Sequence, residues 1–281
     1  MSACRSASDA YFNPKLDETL SERLPKMNFK HQQTIADVAR KCAAMGFVAS
    51  YDGNISLRAD EGIYITATRT LKAEASPDDV CLMDWNGKLL EGKRPPSTES
   101  LMHLYLYKAR SDVKGIVHAH PPATTAFAVA RKALDLAVFP EVILDIGPVP
   151  LAQYATPSTD EVPRSLAPFA EWANAILLAN HGVVVLGGDV YEALFRTEKL
   201  EHAAKTLVYA QTLGGVVPLT RGEVDYLYET HKEFERRGEF AEFQASATCK
   251  CEIEKLVCRT CEEKSELDFV RGVAERVLKR L

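Results

Sequence analysis

Two histidines one residue apart stand in the run Gly115-Ile116-Val117-His118-Ala119-His120. Side chains alternate faces along an extended chain, so His118 and His120 project to the same side, about 6–7 Å apart at a rise of about 3.3 Å per residue. That arrangement suits two corners of a divalent metal site. A zinc centre that does chemistry uses three protein ligands and keeps an open position. His181 is the best third ligand: it ends an apolar strand and precedes a glycine. Of the other four histidines, His31, His202 and His231 lie on helical faces amid charges and read as solvated surface, while His103 is either core or site. Glu99 has two readings. As a carboxylate in the first turn of a helix it favours the dipole. As a base beside the metal it ligates at rest, leaves when substrate takes its place and shuttles a proton. Asp52-Gly53-Asn54 and Ser97-Thr98 are small polar segments that can offer N–H and hydroxyl donors to an anion, although each alone is ordinary turn chemistry.

These residues need a frame. Apolar spacing predicts a helix over roughly Lys30–Met45, stopped by Gly46. Tyr51–Arg58 reads as a turn leading into an alternating strand, and further strands are expected at Gly62–Thr66 and Val80–Asp84, with Asn86-Gly87 as a hairpin turn. Several short strands in succession point to a largely antiparallel sheet. Ser97 or Thr98 is the expected N-cap of a helix to about Arg110. Pro121-Pro122 and Thr124 open another helix to about Arg131. Val138–Leu151 reads as strand and loop, and Ser158-Thr159-Asp160 caps a helix through Trp172. Ala175–Ala179 reads as a buried strand that Val183–Leu186 continues beyond Asn180-His181-Gly182. Asp189 starts a long helix to about Tyr209, with Glu198/Lys199 and Glu201/Lys205 expected to face solvent.

The chain has 281 residues, 46% of them apolar, enough to bury a large core. A net charge of −5 argues against a nucleic-acid binder that relies on bulk electrostatics. No apolar run approaches the roughly 20 residues of a membrane helix, so neither nucleic acid nor membrane is an expected partner. The opening stretch lacks the apolar core of a secretory leader. Seven cysteines, an odd number, rule out complete disulfide pairing, which together predicts a reduced cytoplasmic protein. Composition divides the chain into an N-terminal arm (1–28), an α/β domain (29–215) and a charged, helix-rich C-terminal extension (216–281).

With those residues in place, the chain resembles the class II aldolase/adducin family, and within it the L-fuculose-1-phosphate aldolase-like enzymes. The resemblance runs over roughly residues 30–215. Its carriers are Gly53-Asn54-Ile55-Ser56, Thr66-Ala67-Thr68, Ser97-Thr98-Glu99, His118-Ala119-His120, Tyr154-Ala155-Thr156 and Asn180-His181-Gly182. It implies a three-layer α/β/α sandwich around a mostly antiparallel sheet, and a homotetramer with active sites between subunits. It also implies Zn2+, or another divalent ion such as Mn2+, Co2+ or Fe2+, on His118, His120 and His181, with Glu99 as fourth ligand and catalytic acid/base. Gly53, Asn54, Thr68, Ser97 and Thr98 fall where such enzymes hold a substrate phosphate. The implied reaction is reversible cleavage of a ketose 1-phosphate to dihydroxyacetone phosphate and a short aldehyde. Related epimerases carry aspartate at the Glu99 position, which favours aldolase here.

Three positions depart from the family pattern. Arg69 replaces a glycine whose N–H faces the phosphate, and is itself a candidate anion ligand. Phe139 and Phe234 fall where such aldolases use tyrosines, with Tyr226, Tyr228 and His231 near the second. Two alternatives to the aldolase therefore stay open: a decarboxylase or 4-epimerase of a sugar phosphate or tetronate on the same scaffold, and a non-catalytic adducin-like scaffold. In the extension, Cys249, Cys251, Cys258 and Cys261 form a C-x-C…C-x-x-C set that suits a structural zinc, an iron–sulfur cluster or four reduced thiols.

Overall fold

The computed structural model describes residues 27–244. The N-terminal arm as far as residue 26 and the four tail cysteines at 249, 251, 258 and 261 lie outside the described residues. The first helix, α1 (Phe29–Ala44), starts where the Asn28 side chain accepts from the Lys30 N–H, and it buries Ile35, Val38, Ala39 and Cys42. Two hairpins follow: β1 (Asn54–Ala59) with β2 (Gly62–Thr66), then β3 (Val80–Met83) with β4 (Leu89–Glu91). The remaining elements are α2 (Ser100–Ala109), β5 (Gly115–Ala119), α3 (Pro122–Val129), α4 (Pro140–Asp145), β6 (Leu151–Ala152), α5 (Glu161–Leu166), β7 (Ala175–Leu178), β8 (Gly182–Gly187), α6 (Val190–Thr212), α7 (Arg221–Thr230) and α8 (Ala241–Gln244).

The strands form one eight-stranded sheet in the order β4-β3-β2-β1-β5-β8-β7-β6, antiparallel throughout except for β6 beside β7. Strands β2, β3, β5, β7 and β8 are buried along their whole length, as expected for a sheet covered on both faces. On one face Ile63, Ile65, Ile116, Ile176 and Val184 pack against α2 and α5 through Met102, Leu106, Val162 and Leu166. On the other, Ile55, Tyr64, Val117 and Ala119 meet α1 and the start of α6, while Leu177, Val183 and Val185 meet α3, α4 and the rest of α6. The fold is therefore a three-layer α/β/α sandwich around a mostly antiparallel sheet. Beyond it, α7, Phe240 and Phe243 pack on Ile143 of α4. Among the described residues, no helix is long and apolar enough to cross a membrane.

Four local expectations change. Val138–Leu151 contains a short helix, because Pro140 at its first position presets the helical φ. The helix at Asp160 ends at Leu166 and gives way to turns before Trp172; Pro168 has no N–H with which to extend the ladder. Residues 183–186 do not continue the preceding strand. Asn180 adopts φ +57°, the chain reverses, and β8 pairs antiparallel with β7. Glu201 does not face solvent: it is 2% exposed, and its carboxylate accepts from the Ala123 and Thr124 N–H groups and the Thr124 hydroxyl. It thereby supplies the cap that Pro121 cannot give α3.

Candidate metal centre and anion cleft

Antiparallel pairing brings distant residues to one end of the sheet. Asn54, the first residue of β1, lies directly across from His118 near the end of β5. His120 sits just past β5, His181 sits in the β7–β8 turn, and Glu99 stands at the N-cap of α2. Two glycines make the convergence sterically feasible. A Cβ on Gly182 would lie 2.4 Å from the His120 ring, and one on Gly53, at φ +71°, would lie 2.6 Å from the His118 carbonyl oxygen.

The three rings form a near-equilateral triangle with centroids 4.7, 4.9 and 5.0 Å apart. His118 Nε2 lies 3.3 Å from His120 Nε2 and 3.3 Å from Glu99 Oε2. His181 Nε2 lies 3.4 Å from Glu99 Oε1. A tetrahedral ion with bonds of about 2.0–2.1 Å sets its ligand atoms about 3.3–3.4 Å apart, so the His118–His120 separation matches one edge of such a polyhedron, and the Glu99 carboxylate approaches two of the rings at the same range through its two oxygens. The chemistry of the donors agrees. His118 Nδ1–H donates to the Val183 carbonyl at 3.0 Å, which leaves its Nε2 lone pair aimed inward. Two facing imidazole nitrogens repel unless a proton or a metal ion lies between them. Buried Glu99 Oε1 has no hydrogen-bond partner among the described residues. The three histidines can hold a divalent metal, and Glu99 is placed to be a fourth donor.

Burial, reinforced by the neighbouring His118 charge, pushes His120 down to about 3 and His181 down to about 4, so both offer lone pairs at neutral pH. Burial also opposes ionisation of Glu99 and His118, but each charge favours the other more strongly. The Glu99 carboxyl is held well below the usual carboxylate range and His118 is raised. Asp52 approaches His120 Nδ1 at 3.7 Å, so this carboxylate faces a candidate ligand as well as the cleft.

Beside the metal corner lies a cleft of about 290 Å³. Gly53, Asn54, Thr68, Arg69, Ser97 and Thr98 all line it, together with Glu99, His120 and His181. Neither Ser97 nor Thr98 caps α2. Ser97 Oγ accepts from the Glu99 N–H at 3.3 Å, and Thr98 Oγ1 accepts from the Ser158 hydroxyl at 2.8 Å. Glu99 occupies the N-cap with no side-chain bond to the helix, so its carboxylate turns to the imidazoles instead of the dipole. Arg69 is exposed at φ +53°, in a turn held by Arg94, which donates to the Thr68 and Arg69 carbonyls at 3.0 Å each and pairs with Asp79. Phe139, Phe234, Tyr226 and Tyr228 do not line the cleft.

Two residues gain a place that sequence reading did not assign. Lys72 is 2% exposed and lines the cleft; its ammonium donates to the Tyr51 carbonyl at 2.9 Å and the Thr70 carbonyl at 3.0 Å. Burial brings it down to about 8. Only the meeting of two loops reveals it, since nothing in its spacing distinguishes it from a surface lysine. His103 is fully buried, hydrogen-bonded to Ser56 and Asn54, and burial pushes it down to about 3. It belongs to the core directly beneath the site.

Comparison with known proteins places the chain in one family. Residues 33–208 match the family model of the class II aldolase and adducin N-terminal domain. An L-fuculose phosphate aldolase of Methanococcus maripaludis is 35% identical over 57% of this chain and 86% of its own. A 3-oxo-tetronate 4-phosphate decarboxylase of Haemophilus influenzae is 30% identical over 74% of this chain and 97% of its own. Among solved structures, an L-fuculose 1-phosphate aldolase superposes with a TM-score of 0.68 at 30% identity, covering 73% of this chain and 98% of that one.

Proposed function

The chain belongs to the class II aldolase and adducin family, and from that premise we propose that it is a divalent-metal-dependent aldolase that cleaves a ketose 1-phosphate reversibly to dihydroxyacetone phosphate and a short aldehyde. The observation that carries the reading is the convergence of three imidazoles, with the Glu99 carboxylate 3.3 and 3.4 Å from two of them, beside a polar, cation-bearing cleft. In this reading His118, His120, His181 and Glu99 hold zinc or a similar ion. When bound, that ion supplies Lewis-acid stabilisation of the negative charge developing on substrate oxygen.

The chain's own groups do the rest. Gly53, Thr68, Ser97 and Thr98 offer N–H and hydroxyl donors to the phosphate, and Arg69 and Lys72 balance its charge. Asn54 donates to Glu99 Oε2 at 2.8 Å, which holds the carboxylate while its other oxygen is available to take a proton. The buried sheet end limits water at the reacting atoms, because His118 is wholly inaccessible and Glu99 nearly so. Residues 29–215 form the catalytic domain with 216–281 as its extension, and the working form is a cytoplasmic homotetramer with sites at the subunit boundaries.

The test is addition. Metal-loaded protein is incubated with dihydroxyacetone phosphate and a panel of aldehydes including glycolaldehyde and lactaldehyde, and condensation products are sought by mass spectrometry. A new carbon–carbon bond with one of them is expected. Complete inactivity across the panel would overturn the aldolase reading in favour of decarboxylation or epimerisation. Two observations favour that second reading over any other: the coverage of the Haemophilus decarboxylase match, and the Arg69 guanidinium, which fits a substrate carboxylate as well as a phosphate. The intact donor set argues against a non-catalytic scaffold.

A further inference from the structure

We propose that His103 is a positioning residue whose tautomer turns the donor face of Asn54 toward Glu99 and the anion cleft. It stands in the middle of a buried hydrogen-bond chain that runs one way, from Tyr107 to Glu99.

The direction follows link by link from the carboxylate. Asn54 Nδ2 lies 2.8 Å from Glu99 Oε2, and an ionised carboxylate only accepts, so Asn54 must present its NH2 group there and point its carbonyl Oδ1 inward. His103 Nε2 is hydrogen-bonded to that Oδ1, so Nε2 carries the ring proton. In a neutral imidazole the other nitrogen accepts. Ser56 Oγ, 2.6 Å from His103 Nδ1, therefore donates to it. Having used its proton, Ser56 accepts from the Tyr107 hydroxyl at 2.8 Å. Asn54, Ser56, His103 and Tyr107 are each at most 2% exposed, so water is a poor substitute for any link.

The consequence reaches the cleft although His103 does not line it. Asn54 has two N–H bonds. One is committed to Glu99, and the second is left for a bound anion, because Asn54 does line the cleft. With the proton on His103 Nδ1 instead, Nε2 would call for an N–H from Asn54. The amide would flip, and its carbonyl would confront both the Glu99 carboxylate and the incoming anion. The sheet and α2 thus choose the polarity of the anion site through a ring buried between them.

The tautomer and its effect on the anion cleft are independent of the aldolase reading. Two-bond proton–nitrogen correlation spectra of the histidine rings in the full chain read the tautomer directly. A protonated Nε2 and bare Nδ1 on His103 are expected, and a protonated Nδ1 overturns the proposal. Tyr107→Phe removes only the far end and is expected to leave that tautomer in place. A switch to Nδ1–H in this variant would show that the direction is imposed from tyrosine, which also overturns the proposal.

The second measurement is inorganic phosphate affinity by calorimetry. His103→Leu removes the donor to Asn54, whereas His103→Gln keeps an amide N–H close to the Nε2 position. With metal per chain unchanged, the Leu variant is expected to bind phosphate about tenfold or more weakly, and the Gln variant within about threefold of the natural chain. Equal affinity in all three overturns the role in anion binding. If no aldehyde is condensed but the tautomer and affinities come out as expected, the aldolase reading fails and this inference stands.

Discussion

At the histidine end of the cleft, His118 rides on β5 between β1 and β8, His120 directly follows β5, and His181 directly precedes β8. Ladder hydrogen bonds on both sides set where each ring begins. At the anion end, the Thr68–Arg69 turn leaves the sheet after the Ala67–Pro96 bridge, and side chains hold it: Arg94 grips two of its carbonyls, while Lys72 ties Thr70 to Tyr51. One end is built by backbone and presents the lone pairs of His120 and His181 beside the Glu99–His118 pair. The other is built by cations and presents charge. The first should fail all at once when a ligand is lost, and the second should weaken by degrees with substitution, salt and pH.

Losing a ligand is the severest way to break the contrast. His118→Ala or His181→Ala should release the metal and abolish turnover, read as metal per chain by mass spectrometry and as product formation. Glu99→Gln should separate the two jobs at that end. Metal is largely retained, while turnover falls by about 10²–10⁴ with the loss of proton transfer. A fully active Glu99→Gln enzyme would refute the assigned role.

The anion end should respond more gently. Lys72→Met should leave metal per chain unchanged and weaken inorganic phosphate binding by about tenfold or more, the scale of a charge-assisted hydrogen bond. The same residue gives a pH signature. Its folded value of about 8 lies below its ordinary 10.5, so between those values the unfolded chain binds more protons. Lys72 should therefore add to stability as pH rises across that window, read as the difference between denaturant melts of the phosphate-free natural chain and of Lys72→Met. The difference is the readout because above about 9 the Cys42 and Cys81 thiols, pushed up to about 12 by burial, lower the stability of both chains alike. Phosphate affinity in the natural chain should move the opposite way, falling as the ammonium loses its proton. Smallest is Arg69→Gly. Relief of the φ +53° backbone favours glycine, and its freer unfolded chain opposes it, so stability should change by no more than about 1 kcal/mol. Phosphate affinity should drop a few-fold, since one exposed charge is removed.

The three histidines that cluster at the sheet end were legible because they belong to short-range patterns: two residues in strand alternation, and a third at a strand end beside a glycine. The hairpin strands and the first helix were legible for the same reason, their apolar periods being local. Glu201 was misread as solvent-facing because its i,i+4 pair with Lys205, present at 3.2 Å, is by pattern a surface feature. Its buried partners, the Ala123 and Thr124 amides, lie nearly 80 residues away and belong to a helix that a proline leaves uncapped. The β7–β8 segment was misread as one strand because a single left-handed residue, Asn180, reverses it. Local propensity marks a break there without saying which way the chain turns.

Residue types and their local periods suffice for the inventory of this protein: which side chains can bind a metal, which segments are apolar enough to be buried, and which turns expose donors. Pairing of segments far apart in the chain settled the remainder. It placed Asn54 across from His118, turned Glu99 away from its own helix, sank Lys72 between two loops and gave His103 a direction. Those outcomes depend on burial and on which acceptor lies within reach of which donor, and both are properties of the packed layers.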